Sequence, residues 1–268
     1  MTMYFAGTYD PLTEKTLQSI LQRCRAARQE GALVLLGGTV LAREDRMELL
    51  MKAVDAYPEL RLDSRMAPPK EAFLMLDQEE EEARAGKFFL AAAPIRSELV
   101  QRGFYIEEIV DAQCKPRRAA HSRSVAGVCR GLAEAHHLDA ARAWRAGMLH
   151  DVTKRQPDEW GRKILEEHDP DKLSLSPKVW HSFTAPIWLR ENMGLEDEEI
   201  LHAIYHHTLG DGEGDLDRIL FIADKCEPTR NYDSTWELEL ARRDLKAAAE
   251  LVLQEQRDYL LEKEDIHV

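Results

Sequence analysis

Cysteine is scarce in this chain: Cys24, Cys114, Cys129 and Cys226 are four among 268 residues, and none form a CxxC pair. That excludes a disulfide framework and leads us to expect a reducing cytoplasm. Long apolar runs are absent, and nothing approaches the roughly 18 residues of a bilayer span. The first residues lack the basic and apolar pattern of a secretion signal, so no membrane association is expected. Positive charge is in deficit, with 36 Lys+Arg against 49 Asp+Glu and a net charge of -13. That balance argues against a nucleic-acid polymer as partner, although a small anion can bind where a metal and a few basic side chains reverse the local field. There is no internal repeat. The length allows two ordinary domains.

The chain is organised around Met148-Leu149-His150-Asp151-Val152-Thr153-Lys154. An adjacent His-Asp pair offers one nitrogen and one anionic oxygen to a cation, and a metal site needs about four ligands. The rest of the chain has them in His121, His181, the pair His206-His207, and Asp224. Apolar residues recur at helical spacing beside them: Val125, Val128 and Leu132 after His121, and Ala185 and Trp188 after His181. Leu216, Ile219, Leu220 and Ala223 precede Asp224. Helical patterns run over 117–136, 138–149, 157–167, 177–192, 196–207, 215–225 and 235–262. Side chains from several helices would then converge, as in the metal sites of helical bundles. Trp144, Trp180, Trp188 and Trp236 read as packing residues. His136, His137, His168, His202 and His267 have no assigned role.

The order His…His-Asp…His…His…Asp resembles the HD superfamily of metal-dependent phosphohydrolases. His150-Asp151-Val152-Thr153-Lys154, Ala203-Ile204-Tyr205-His206-His207-Thr208-Leu209-Gly210 and Phe221 to Arg230 narrow the resemblance to the YqeK family. It runs from about Arg117 to about Leu253. It implies symmetrical hydrolysis of a dinucleoside polyphosphate, diadenosine tetraphosphate to two ADP. It also selects His207 over His206 as the ligand, since His207 precedes Thr208-Leu209-Gly210. The expected ligands are His121, His150, Asp151 and Asp224 for one divalent metal ion, and Asp151, His181 and His207 for a second. The resemblance favours iron, and mixed imidazole and carboxylate donors also suit Mn, Co, Ni or Zn. Asp151, Lys154 and Arg230 are the expected catalytic residues. Lys154, Thr208, Gly210 and Arg230 are expected to meet substrate, with Arg123 a weaker candidate. A homodimer is left open.

The N-terminal part reads as alternating strands and helices, a small Rossmann-like α/β domain at 1–103, followed by an all-helical domain at 104–268. Strands are expected at 3–6, 32–37 and 60–63. Thr13 caps a helix running to about Glu30, with Leu17, Ile20, Leu21 and Cys24 inward. A second helix, 43–57, is expected to bury Met47, Leu50, Met51 and Val54. Asp77 to Arg84 is an acidic run that reads as a solvated helix face or a mobile linker. The opening Gly7-Thr8-Tyr9-Asp10-Pro11 resembles the nucleotidyltransferases that make the nicotinate dinucleotide. Their phosphate-binding pair is replaced here by Thr13-Glu14-Lys15-Thr16, and their later hydroxyl-bearing motif by Ala92-Ala93-Pro94-Ile95-Arg96. A degenerate, inactive domain is therefore expected. Adenylyltransferase activity from it, or another HD-type phosphohydrolase activity, are the alternatives.

Overall fold

A computed structural model describes residues 2–38, 40–65, 67–230 and 232–265, the side chains of 262–265 excepted. His267 lies outside the described residues. The chain divides into two compact units, Met1–Ile109 with Glu191–Leu195, and Val110–Arg190 with Glu196–Val268.

In the first unit, β1 (Thr2–Gly7), β2 (Glu30–Leu35), β3 (Leu60–Asp63) and β4 (Phe73–Met75) form one parallel sheet in the order β3-β2-β1-β4. Parallel neighbours need crossovers. Helix α1 (Glu14–Ala27) supplies the first and α2 (Arg43–Asp55) the second. The run Ala32-Leu33-Val34-Leu35 is wholly buried, as a central parallel strand requires. Thr13 caps α1, its hydroxyl accepting from the Thr16 amide at 3.2 Å, and Leu17, Ile20, Leu21 and Cys24 are buried. Two short helices follow, α3 (Glu79–Arg84) and α4 (Arg96–Arg102), the latter ended by Gly103 in the left-handed region.

Three features of this unit depart from expectation. Helix α2 buries Arg46, Leu49, Leu50 and Ala53, while Met51 is exposed. Arg46 turns the helix, because its guanidinium donates to the carbonyls of Thr8 (2.7 Å), Leu36 (3.1 Å) and Leu41 (3.2 Å). A buried cation so satisfied is tolerated in place of an apolar residue. Strand β4 was not anticipated: it is a three-residue edge strand with Phe73 and Leu74 exposed. The acidic run is helical over Glu79–Arg84, one of the two expected readings, but it is not wholly solvated: Glu80 is buried, accepting from the Thr8 hydroxyl at 2.7 Å.

The second unit is helical. Following α5 (Ile106–Gln113) come α6 (Pro116–Ala135), α7 (Ala140–Leu149), α8 (Asp158–His168), α9 (Trp180–Trp188), α10 (Glu198–His206), α11 (Asp215–Cys226), α12 (Thr235–Ala241) and α13 (Leu245–Asp265). The single helix expected over 235–262 is thus two. Leu165, Trp180 and Phe183 form a buried cluster that ties α8 to α9. Trp236, expected to pack, is exposed.

Helices α6 and α7 approach closely at Gly147. A Cβ placed there would lie 2.5 Å from Ala126 Cα and 2.8 Å from Ala126 N. Only glycine permits that spacing. It sets His121 of α6 beside His150 at the end of α7, their rings 5.4 Å apart.

Candidate metal centre

Five helices bring six polar side chains together. His121 projects from α6, His150 and Asp151 stand at the C-terminal end of α7, His181 lies on the first turn of α9, His207 follows α10 and Asp224 lies on α11. All six are buried, with His150 at 0% and His207 at 1% exposure. The four imidazoles form a row of edge-to-face contacts: His121–His150 at 5.4 Å, His150–His207 at 5.1 Å and His207–His181 at 5.2 Å.

Asp151 lies between the two halves of this row. Its Oδ2 is 3.4 Å from His150 Nε2 and 4.0 Å from His121 Nε2, while its Oδ1 is 3.2 Å from His181 Nε2. Two groups therefore have the spacing of metal ligands, His121 with His150 and Asp151, and Asp151 with His181 and His207. Asp224 Oδ1 stands 3.0 Å from His121 Nε2 and 3.8 Å from His150 Nε2.

The outer contacts fix which ring nitrogens face inward. A carbonyl oxygen can only accept, so Nδ1 of His150 donates to Gly147 O at 2.7 Å, and Nδ1 of His207 donates to Ile204 O at 2.6 Å. Their Nε2 atoms are then the ones turned into the cluster. His150 Nε2 is buried and has no hydrogen-bond partner. A buried orphan nitrogen facing two carboxylates is what a cation would satisfy. His121 Nδ1 lies 3.0 Å from Glu227 Oε1, a carboxylate–histidine pair of the kind that orients a metal ligand. On His181, Nε2 is the nitrogen turned to Asp151 Oδ1, and Lys154 Nζ lies 2.9 Å from Nδ1 and 3.4 Å from Nε2.

Electrostatics reinforce this picture. Burial alone would raise Asp151, but the nearby charges of His150 and His181 and the His181 contact hold it well below the usual carboxylate range. Asp224 is likewise pulled down against burial by Lys225, His121 and His150. Burial pushes His207 down, helped by the charges of His150 and His181, which keeps the ring neutral and able to donate its lone pair. Burial opposes the charge on His150 too, but Asp151, Asp224 and Gly147 prevail and raise it.

Of the remaining expected residues, Lys154 and Arg230 contact this cluster, through His181 and Asp224. Lys154 Nζ also donates to Lys178 O at 2.6 Å, and burial pushes its pKa down. Arg230 Nη2 donates to Asp224 Oδ1 at 2.9 Å, and its Nε is buried without a hydrogen-bond partner. Thr208 and Gly210 contact protein: the Thr208 hydroxyl pairs with Ser182 at 2.9 Å, and Gly210, at φ +67°, lies against the Phe221 ring. Arg123 pairs with Asp111. His206, at the end of α10, pairs with Asp211 at 2.7 Å. Sequence reasoning missed Glu227, whose signal was its place three residues after Asp224, and Arg118, whose Nη1 donates to Asp151 Oδ2 at 2.7 Å.

The opening motif of the first unit is spent on its own structure. Thr13 and Thr16 hydroxyls both donate to Asp77, the latter at 2.6 Å, and Lys15 pairs with Glu79 at 3.1 Å. Glu14 accepts from the Ala93 amide at 2.9 Å, and Arg96 donates to Ala91 O at 2.7 Å. Asp10 is buried and accepts from the Tyr105 hydroxyl and the Val40 amide, both at 2.7 Å. Burial would raise Asp77, but Thr13, Thr16, the Glu79 amide and Lys15 hold it below the usual carboxylate range. A depressed folded-state pKa gives stability that is present above about pH 4 and lost as the pH falls through the folded value. Asp77→Asn should therefore lower the urea midpoint at pH 7, and its difference from the unsubstituted protein should shrink as the pH is lowered below about 4. A difference independent of pH would contradict this.

A model of the HD domain matches residues 118–229, which contain all six clustered side chains. The chain is 32% identical over 143 residues to the symmetrical bis(5'-nucleosyl)-tetraphosphatase of Bacillus subtilis, covering 52% of this chain and 77% of that protein. It is 30% identical over 175 residues to the probable nicotinate-nucleotide adenylyltransferase/Ap4A hydrolase of Mycoplasma pneumoniae, covering 62% of this chain and 51% of that protein. The chain thus spans about half the length of the mycoplasma protein. A crystal structure from Clostridium acetobutylicum, described as a predicted HD superfamily hydrolase involved in NAD metabolism, superposes with a TM-score of 0.55 at 25% identity. It covers 59% of this chain and 86% of that one.

Proposed function

The chain belongs to the HD-domain family of symmetrical tetraphosphatases, and from that membership we propose that its helical domain, 104–268, hydrolyses a dinucleoside polyphosphate, diadenosine tetraphosphate to two ADP. The observation that carries the reading is the placement of Asp151 between two imidazole groups, one oxygen toward each. His121, His150, Asp151 and Asp224 would hold one divalent cation, and Asp151, His181 and His207 a second. Iron is our choice of metal, and Mn, Co, Ni and Zn suit the same donors. Two such cations supply a water acidic enough to attack near neutral pH and positive charge against a phosphoryl group.

The chain's own side chains supply the rest. Lys154 lies beside His181, where its ammonium can meet negative charge developing on a bridging phosphate oxygen. Arg230 is held over Asp224, with its Nε 3.8 Å from Glu227 Oε1, and a guanidinium fork suits a phosphate. The group that leaves is a nucleoside diphosphate, stable as an anion, so a cation beside it does the work that a proton donor does for poorer leaving groups. Thr208 and Gly210 hold the turn that carries His207. Among the described residues no helix is long and apolar enough to cross a membrane, and the four cysteines are free and buried, which fits a reducing cytoplasm.

The test is metal dependence. Protein stripped by chelator should leave diadenosine tetraphosphate intact, and readdition of Fe(II), Mn(II) or Co(II) should restore its disappearance. Equal cleavage by stripped protein would remove the proposal. The alternative reading, adenylylation by the first 103 residues, is opposed by the internal use of Thr13, Thr16, Lys15 and Asp10. Exchange of labelled pyrophosphate into ATP with nicotinate mononucleotide present should stay at background. Exchange above background that Asp10→Ala removes would restore that alternative.

A further inference from the structure

The chain carries a net charge of -13, yet four cations surround the cluster. Two of them, Lys154 and Arg230, already have a proposed part. The others are Arg118, one helical turn before His121 on α6, and Lys225, next to Asp224 on α11. Arg118 Nη1 meets Asp151 Oδ2 at 2.7 Å, and Lys225 Nζ meets Asp224 Oδ2 at 2.6 Å. These two carboxylates both face His150 Nε2, at 3.4 Å and 3.8 Å, so the two cations stand on different carboxylates around one centre.

Structural duty explains these positions poorly. The Arg118 side chain is 40% exposed, so much of its guanidinium stays in reach of solvent rather than being used to hold the fold. A positive charge on a metal-ligand carboxylate also repels the cation that carboxylate would hold. That cost is offset when an anion with several charges lies across the site. Arg118 spends one of its five donor hydrogens on Asp151 among the described residues, which leaves a fork for a phosphate.

We propose that Arg118 and Lys225 bind phosphate groups, and that with Lys154 and Arg230 they form a collar that grips the outer phosphates of a polyphosphate chain. The inference rests on the reading of this cluster as a polyphosphate hydrolase centre. It assigns the collar to chain length: an anion spanning several phosphates reaches cations on both sides, whereas orthophosphate reaches one.

The experiment is calorimetric titration of the Mn(II)-loaded, full-length protein with inorganic tripolyphosphate and, separately, orthophosphate, for the unsubstituted chain, Arg118→Gln, Arg118→Lys and Lys225→Gln. Arg118→Gln and Lys225→Gln should each weaken tripolyphosphate binding about 10- to 100-fold, as expected for loss of a charge-assisted contact. Orthophosphate binding should change less than about threefold, because one small anion engages only part of the collar. Arg118→Lys should recover part of the loss, and metal content by mass spectrometry should match the unsubstituted protein throughout. Tripolyphosphate affinity unchanged in both Gln variants would overturn the proposal. So would metal lost from Arg118→Gln, which would make Arg118 a positioning residue for Asp151. Failure of the hydrolase reading shows separately: the unsubstituted protein would bind tripolyphosphate with this charge dependence and leave diadenosine tetraphosphate uncut.

Discussion

Replacing Asp151 by alanine should abolish turnover and remove at least one metal ion per chain. Its carboxylate is the one side chain present in both ligand-spaced groups, with Oδ2 toward His150 and Oδ1 toward His181. A carboxylate between two cations screens their repulsion. At an effective dielectric of about 20, even unit charges about 4 Å apart interact by roughly 4 kcal/mol, and divalent ions by more. The expected fall in activity is about a thousandfold or greater, at the upper end of what one preorganised electrostatic partner supplies. His181→Ala provides the contrast, because His121, His150 and Asp224 would still hold one cation. Metal analysis and activity should be measured together on both variants. Asp151→Asn, which keeps the volume, separates metal loss from misfolding through its melting curve in chelator. Equal metal loss in Asp151→Ala and His181→Ala would remove the bridging role, and two metals retained in Asp151→Ala would remove the ligand assignment.

The second large effect should come from Gly147→Ala. Alanine is normally the better helix former by about 1 kcal/mol. At this position its methyl would meet the Ala126 backbone, Cα at 2.5 Å and N at 2.8 Å, and backbone atoms cannot swing aside as a side chain can. Overpacking of that kind costs about 1–3 kcal/mol and outweighs the propensity gain. A destabilisation of that size lowers the melting temperature of a domain of this length by about 2–4 °C per kcal/mol. Function should suffer further, because the strain pushes α6 from α7 and with them His121 from His150, whose Nδ1 is held by the Gly147 carbonyl. Gly127→Ala and Gly131→Ala on α6 are the controls: a Cβ at either meets nothing within 4 Å, so both should raise the melting temperature. A Gly147→Ala protein as stable and as metal-rich as its parent would show that the helix contact is not tight.

Much of the cluster was legible because its side chains lie on strongly periodic helices. The 3.6-residue spacing around His121 and before Asp224 said which way those side chains faced, and both are buried in the cluster. The same logic failed on α2, where Arg46 takes an inward position that a hydropathy pattern cannot award to a cation. Strand β4 was hidden for a related reason: an edge strand of three residues with exposed apolar side chains has no alternation to read. The break between α12 and α13 leaves the helical periodicity of 235–262 nearly intact on either side, so the pattern alone could not reveal it. Glu227 and Arg118 escaped because contacts between His121 and Glu227, 106 positions on, or between Arg118 and Asp151, 33 positions on, belong to tertiary structure.

The most direct test of the central claim is where the phosphate chain is cut and by what. The full-length, metal-loaded protein would be given diadenosine tetraphosphate in water enriched in oxygen-18, and the products separated by anion exchange and weighed by mass spectrometry. Attack of water between the two middle phosphates predicts ADP as the only product, with one of each pair carrying a single heavy oxygen on its β-phosphate. AMP together with ATP, or ADP in which neither member of the pair carries a heavy oxygen, would contradict it.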